Sequence, residues 1–390
     1  MLKKVANWLK GRVILALCIS SLVGVQAVAG EPANCPDPQL RQEVESAIDR
    51  VVVAHGSSDG SGVLIDIDSP RYCYHSSHAV GYRSTNKKIP LAPTDSFRTA
   101  SITKLFTAST ILRLVEQGKF SLDSPVEGLL PGNVVEALKK GGVDPQRITV
   151  RHLLSHTAGL PDHAMDKRYF KAILTQPSRR WTPVEQVALI HEYQLKWLPL
   201  GKQFAYSDTG YILLGQIIEK STGLPLGEAI SHYLQFNKLP LQHLAMEDSS
   251  YQESDRFPRA HQYLGALDTY SWNPSIDLHG GGGLVATAQD LATFIRALFA
   301  QEIFATPDSL EHMLSFQENS YEDGYGMGIF RVDFDGYWAL GHTGFWNTFV
   351  FYLPEYDLTI AGSVMQTEGV KGTDLAKAAF SSFEVLSQQK

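Results

Sequence analysis

The chain has 390 residues, with 34 Lys+Arg against 41 Asp+Glu for a net charge of −7, and 44% of it is hydrophobic. This composition excludes collagen-like, disordered and coiled-coil chains, and its length is enough to bury a large core. An acidic chain poor in Lys and Arg lacks the basic surface that a nucleic-acid partner requires.

In chain order, Met1 to Arg12 carries Lys3, Lys4, Lys10 and Arg12 and no acid. An uncharged stretch, Val13 to Ala29, then ends in Ala27-Val28-Ala29. A basic segment, an apolar segment and small residues at its end form the pattern of an export leader, so residues 1–29 are expected to be removed and the protein to be periplasmic or secreted. An uncleaved anchor is the alternative, but the apolar stretch is short for crossing a bilayer. Cleavage would remove four basic residues and take the net charge to −11. It would also remove Cys18, leaving Cys35 and Cys73 as either a disulfide or two free thiols.

Beyond the leader, apolar spacing predicts a helix over Glu43–Val53, a strand over Gly62–Asp68 and a hairpin partner over Tyr72–Tyr82. A strongly periodic helix follows from Ser101 to Gln117, ended by Gly118. Shorter helices are predicted at Pro183–Tyr193, Thr209–Lys220 and Thr287–Phe299. After Gly324, four strands are predicted as an antiparallel meander, at Tyr325–Asp333, Tyr337–Gly341, Phe345–Leu353 and Leu358–Met365. A closing helix spans Asp374–Gln388. Strands at both ends and helices between them predict an α+β fold, with an antiparallel sheet flanked by helices and an inserted all-helical lobe. The sheet lobe is expected over about 40–105 and 285–390, the helical lobe over about 106–284, and both form one unit over 30–390.

Several short patterns carry no chemistry on inspection. Gly56-Ser-Ser-Asp-Gly60 matches a nucleophile elbow in spelling, but a helix precedes it and a strand follows, the reverse of what that elbow needs. His152 and His156 have the four-residue spacing of metal ligands but no third ligand nearby, so no metal or other cofactor is expected. His279 and its four glycines lack the Lys-Ser/Thr of a phosphate loop and are expected to form a tight loop. Ser84-Thr-Asn-Lys87 runs into Pro90 and has no helix to bring its ends together.

Ser101-Ile-Thr-Lys104 is different, because it opens the strong helix. It places a hydroxyl and an amine one turn apart, with the serine at the positive end of the helix dipole. Tyr206-Ser-Asp208 precedes a second helix, and His342-Thr-Gly344 joins two strands. In this order the three motifs resemble the serine β-lactamase and penicillin-binding protein family. The flanking runs Phe97–Lys104, Arg151–Leu160 and Gly280–Ala286 are similar to its branch of class C β-lactamases, D-alanyl-D-alanine carboxypeptidases and related esterases, and the resemblance covers about residues 45–385.

The resemblance implies a β-lactamase/transpeptidase-like fold and a metal-free serine hydrolase. Ser101 would form an acyl-enzyme, Lys104 and Tyr206 would share the proton transfers, and Tyr206 would protonate the leaving group. The backbone amides of Ser101 and Phe345 would form the oxyanion hole, with Thr343 and Gly344 on the substrate-binding strand. Arg151, His152 and His156 would belong to the scaffold. Asp208 stands where β-lactamases usually carry Asn. As a carboxylate it can only accept, it favours a charged Lys104, and it leaves room for a substrate bearing an amine. His342 replaces the usual Lys and is expected to improve turnover of acidic substrates as pH falls towards 6. Both departures favour a peptidase or esterase acting on a D-amino-acid peptide, of cell-wall type, or a small ester. A true β-lactamase, and a penicillin-binding sensor without turnover, are the alternatives.

Overall fold

The computed structural model describes residues 35–248, 251–317 and 324–388, so the proposed leader at 1–29 lies outside the described residues. Helix α1 (Pro38–Ala54) leads into strands β1 (Val63–Ser69) and β2 (Tyr74–Val80). The short strand β3 (Phe97–Arg98) precedes α2 (Thr103–Glu116), and α3 (Asp208–Thr222) follows a run of shorter helices. Strands β4 (Leu244–Met246) and β5 (Leu284–Ala286) then pair with each other, and β5 also pairs with β3. After α4 (Ala288–Phe299) come β6 (Phe330–Phe334), β7 (Tyr337–Gly344), β8 (Thr348–Leu353), β9 (Leu358–Val364) and α5 (Gly372–Glu384).

The main sheet has six strands in the order β6-β7-β8-β9-β1-β2, antiparallel at every step. Its middle is a junction between chain ends, with Ile65 opposite Gly362 and Ile67 opposite Ile360. Alternation sorts the side chains of β1 between two faces. Val63, Ile65 and Ile67 join Val44 and Ile48 of α1 and Phe380 and Phe383 of α5 in one core. The opposite face is covered by α4, where Phe299 stacks on Tyr352 at 4.6 Å between ring centres. Arg296 fixes that helix by donating to Asp68 and Asp357, each at 2.7 Å.

The middle of the chain is helical except for β4 and a small hairpin at Tyr263–Leu264 and Leu267–Asp268. Strands of two or three residues are too short for alternation to be read from sequence. The strand predicted from Tyr325 starts instead at Phe330, and Tyr325 itself faces the core with no exposed surface. Cys35 and Cys73 form a disulfide with 5.1 Å between their Cα atoms, tying the start of α1 to the turn before β2. Ser84–Lys87 enters the turn between two short strands, as its Pro90 implied. Among the described residues no helix is long and apolar enough to cross a membrane.

Candidate active site

Helix α2 is apolar or small nearly all round and is buried from Thr103 to Leu112. A helix enclosed on every side must satisfy any polar group it carries, and Lys104 has no exposed surface at all. Its Nζ donates to Ser101 Oγ at 2.9 Å, to Asp208 Oδ1 at 2.5 Å and to the Gly281 carbonyl at 2.7 Å. These are three acceptors for three protons, the full capacity of an ammonium. Burial alone would lower the Lys104 pKa, but the negative charges of Asp208 and its neighbours outweigh it and push the pKa up. Lys104 therefore rests as a cation, as Asp208 led us to expect.

Ser101 sits in a single 3₁₀ turn, Ala100–Ile102, just ahead of α2. The preceding Ala100 has a φ of 48°, a left-handed backbone that a residue with a Cβ adopts only when its surroundings impose it. The surroundings are visible. Thr348 Oγ1 on β8 donates to the Thr99 carbonyl at 2.8 Å, and Gly344 packs so tightly that an added Cβ would lie 2.3 Å from that carbonyl oxygen. Glycine at 344 is thus what lets β7 press against the turn that carries Ser101. Phe345 follows in the turn to β8, its ring exposed beside Trp346.

Asp208 opens α3, where a carboxylate is favoured by the helix dipole, and Ser207 caps the helix by accepting from Gly210 N. Tyr206, just before the cap, is clamped by aromatic contacts. His156 lies 4.3 Å from its ring centre, and the Lys104 Nζ stands 5.0 Å from it on another side. The Tyr206 hydroxyl interacts with both Lys104 and Ser101, while burial pushes its pKa well above that of a free tyrosine. His156 accepts from Ser207 N through Nδ1 at 3.1 Å, whereas His152 faces Thr149 in a capping box. The two histidines thus support separate turns and do not converge on one point.

His342 departs from expectation. It is buried, and its Nδ1 lies 2.6 Å from the Thr343 carbonyl, which can only accept, so Nδ1 carries the proton. Its Nε2 faces the Tyr325 hydroxyl at 3.4 Å. Burial, with the Lys104 charge second, lowers its pKa to about 3. A rise in acidic-substrate turnover near pH 6 therefore cannot come from His342, because burial prevents the protonation that the sequence alone suggested. We expect the ratio of acidic to neutral ester turnover to stay flat between pH 5.5 and 8. A ratio that climbs as pH falls would show a protonated His342. The sign for stability is separate. His156, His163 and His342 stay neutral when folded and gain protons on unfolding, so their contribution to stability is full above about pH 6.5 and shrinks as pH falls below it.

Sequence reasoning missed three participants. Gly281 supplies the carbonyl that fixes Lys104, and the glycine loop reaches it because Gly280 (φ 114°) packs where a Cβ would meet the Tyr211 carbonyl at 2.5 Å. Asp162 caps a 3₁₀ turn by accepting from Ala164 N at 3.0 Å and also accepts from the Asp208 amide. Asp277 lies against Gly282, the residue after Gly281, and feels the charge of Lys104. A loop Asp without a motif partner carries no signal that would have picked it out. The arrangement can activate a serine hydroxyl, hold a cation beside it and deliver a phenolic proton. Among the described residues no group of His, Cys, Asp and Glu has metal-site geometry.

A family model described as Beta-lactamase matches residues 52–381. Penicillin-binding protein 4* of Bacillus subtilis (strain 168) is 31% identical over 172 residues, 44% of this chain and 34% of that protein. The D-alanyl-D-alanine-carboxypeptidase/endopeptidase AmpH of Escherichia coli (strain K12) is 24% identical over 322 residues, 80% of this chain and 76% of that one. A solved D-stereospecific amidohydrolase from Streptomyces sp. superposes with a TM-score of 0.72 at 26% identity, over 88% of this chain and 99% of its own. The chain spans between 34% and 64% of the length of the first curated relatives it matches.

Proposed function

The chain belongs to the β-lactamase family, and from that premise we propose that it is an exported serine hydrolase that forms an acyl-enzyme on Ser101 and hydrolyses an amide or ester, with D-amino-acid peptides and small esters as its substrate class. The observation that carries the chemistry is the contact of Lys104 Nζ with Ser101 Oγ and Asp208 at once. Attack forms the Ser101 Oγ–carbon bond. The hydroxyl proton passes to Lys104 as Lys104 hands one to Asp208 along their short hydrogen bond. The Tyr206 hydroxyl protonates the leaving nitrogen or oxygen as its bond to carbon breaks. The Lys104–Asp208 pair then returns a proton to Tyr206, and water enters by the reverse path to release the acid. In this reading the oxyanion is held by the backbone amides of Ser101 and Phe345. Export is supported by the leader pattern and by the disulfide between Cys35 and Cys73.

A neutral, buried His342 offers no cation to a substrate carboxylate, which favours an amide or ester without a carboxylate over a β-lactam that bears one. The test incubates the mature protein with a short-chain nitrophenyl ester, a D-Ala-D-Ala peptide and a chromogenic cephalosporin, with intact-mass and peptide mapping alongside. We expect ester or peptide turnover and an acyl adduct on the peptide containing Ser101. A stable adduct without turnover would make the protein a penicillin-binding sensor, and neither adduct nor turnover would overturn the acyl-enzyme reading.

A further inference from the structure

His156 is buried close to Ser101 and Lys104, yet no proton transfer passes through it. Its imidazole leaves one polar atom unsatisfied. Nδ1 accepts from the Ser207 amide at 3.1 Å, so the ring proton of the neutral side chain sits on Nε2. Nε2 is enclosed and has no hydrogen-bond partner among the described residues. The rings of Tyr206, Tyr211 and Tyr325 surround the imidazole, at 4.3, 5.0 and 4.8 Å between ring centres. A phenylalanine would fill this aromatic pocket without burying an orphan donor. What histidine adds is the acceptor at Nδ1. Burial first, then Lys104 and His342, hold the His156 pKa well below the ordinary histidine value, so Nδ1 stays an acceptor at neutral pH.

That acceptor serves one segment. The backbone at His156 is left-handed (φ 54°), a conformation that histidine, asparagine and aspartate adopt more readily than most residues. It turns two acceptors of one residue onto the same stretch of chain. The His156 carbonyl accepts from the Ala205 amide at 2.8 Å, and Nδ1 accepts from the Ser207 amide. Tyr206 lies between those two amides, and its ring packs on the imidazole. Ser207 Oγ adds a third anchor by donating to the Pro161 carbonyl at 3.2 Å. Tyr206 itself stands outside α3, beyond the Ser207 cap, where the helix no longer fixes the chain.

We propose that His156 is the positioning residue for Tyr206, gripping the amides on either side of it and backing its ring, so that the phenol stays where it can protonate the leaving group. The inference rests on the acyl-enzyme reading above and says what keeps its proton donor in place. A group misplaced by about 1 Å can cost on the order of 10²-fold in rate. His156 touches neither Ser101 nor Lys104 through a hydrogen bond, so its effect reaches the chemistry through Tyr206.

The test measures kcat/KM for 4-nitrophenyl acetate and phenyl acetate in the wild type, His156→Asn, His156→Gly and Tyr206→Phe. Both esters form the same acetyl-enzyme, and they differ in how far the departing oxygen needs a proton, phenolate being the more basic. Asparagine and glycine both accept a left-handed backbone, but only asparagine keeps an acceptor near the Nδ1 position. We expect His156→Gly to lower phenyl acetate turnover at least about tenfold more than 4-nitrophenyl acetate turnover, as Tyr206→Phe does, and His156→Asn to keep the wild-type ratio within about threefold. The ratio is taken within one sample, so any loss of folded protein cancels from it. Equal losses on both esters in His156→Gly would make His156 a packing residue and overturn the proposal. So would a ratio lost as fully in His156→Asn as in the glycine variant. If Tyr206→Phe leaves the ratio unchanged while the acetyl adduct still maps to Ser101, the positioning assignment fails and the acyl-enzyme reading stands. Absence of any adduct in the wild type overturns both.

Discussion

Replacing Ser101 by alanine should lower kcat by at least about 10³-fold on every substrate the protein turns over, and should abolish the acyl adduct seen by intact mass. The size of the loss follows from the absence of a substitute. Ser101 Oγ is the hydroxyl placed against both Lys104 and Tyr206, and no other described nucleophile shares that position. Folding should be nearly untouched. Lys104 loses one of its three acceptors and keeps Asp208 and the Gly281 carbonyl, so the thermal melt should stay close to that of the wild type. Turnover within tenfold of the wild type would mean that another residue carries the acyl group.

Lys104→Met should produce an equally large catalytic loss and, unlike Ser101→Ala, a large loss of stability. Methionine keeps most of the lysine's volume, so the effect reports charge and not a cavity. Removing one member of a buried ion pair costs roughly 3–5 kcal/mol, because the partner charge stays behind. Here Asp208, Asp162 and Asp277 all stay behind, and Lys104 is among the groups that steady the last two as anions. Without it their folded pKa values rise further above the unfolded carboxylate range. Stability of that kind is present at low pH and is lost as pH rises through the folded values. The variant should therefore melt furthest below the wild type near pH 8 and recover part of the gap near pH 5. A pH-independent gap would mean that the carboxylates are not what destabilises the variant.

The candidate site is legible in the sequence because it is written in short segments at fixed spacing. Ser101 and Lys104 share a helical turn, Tyr206 and Asp208 flank a helix start, and His342 to Gly344 end a strand, so each group lies in a local pattern. The long, strongly periodic elements α1, β1, α2, α3 and β7 to β9 were placed for the same reason. What escaped were features that exist only once the chain is folded. Asp162 and Asp277 lie 115 residues apart on loops without periodicity, and only tertiary packing brings them around Lys104. The glycine run at 280–283 was legible as a tight loop, but not as the source of a carbonyl for the ammonium. His342 was legible as an imidazole, while its environment, which decides its charge, was not.

The seam in the main sheet has a consequence for biosynthesis. Strand β1 is hydrogen-bonded on one side to β2, a few residues away, and on the other to β9, close to the end of the chain. When β1 and β2 leave the ribosome, the far edge of β1 has no hydrogen-bonding partner until β9 follows. At about 5–20 residues per second that wait is roughly 15 seconds to a minute. Through this interval the main sheet cannot close, because its central pairing is missing. A polypeptide that cannot close until its last strand is made is still thread-like when a translocation channel engages it, which suits the export proposed for it.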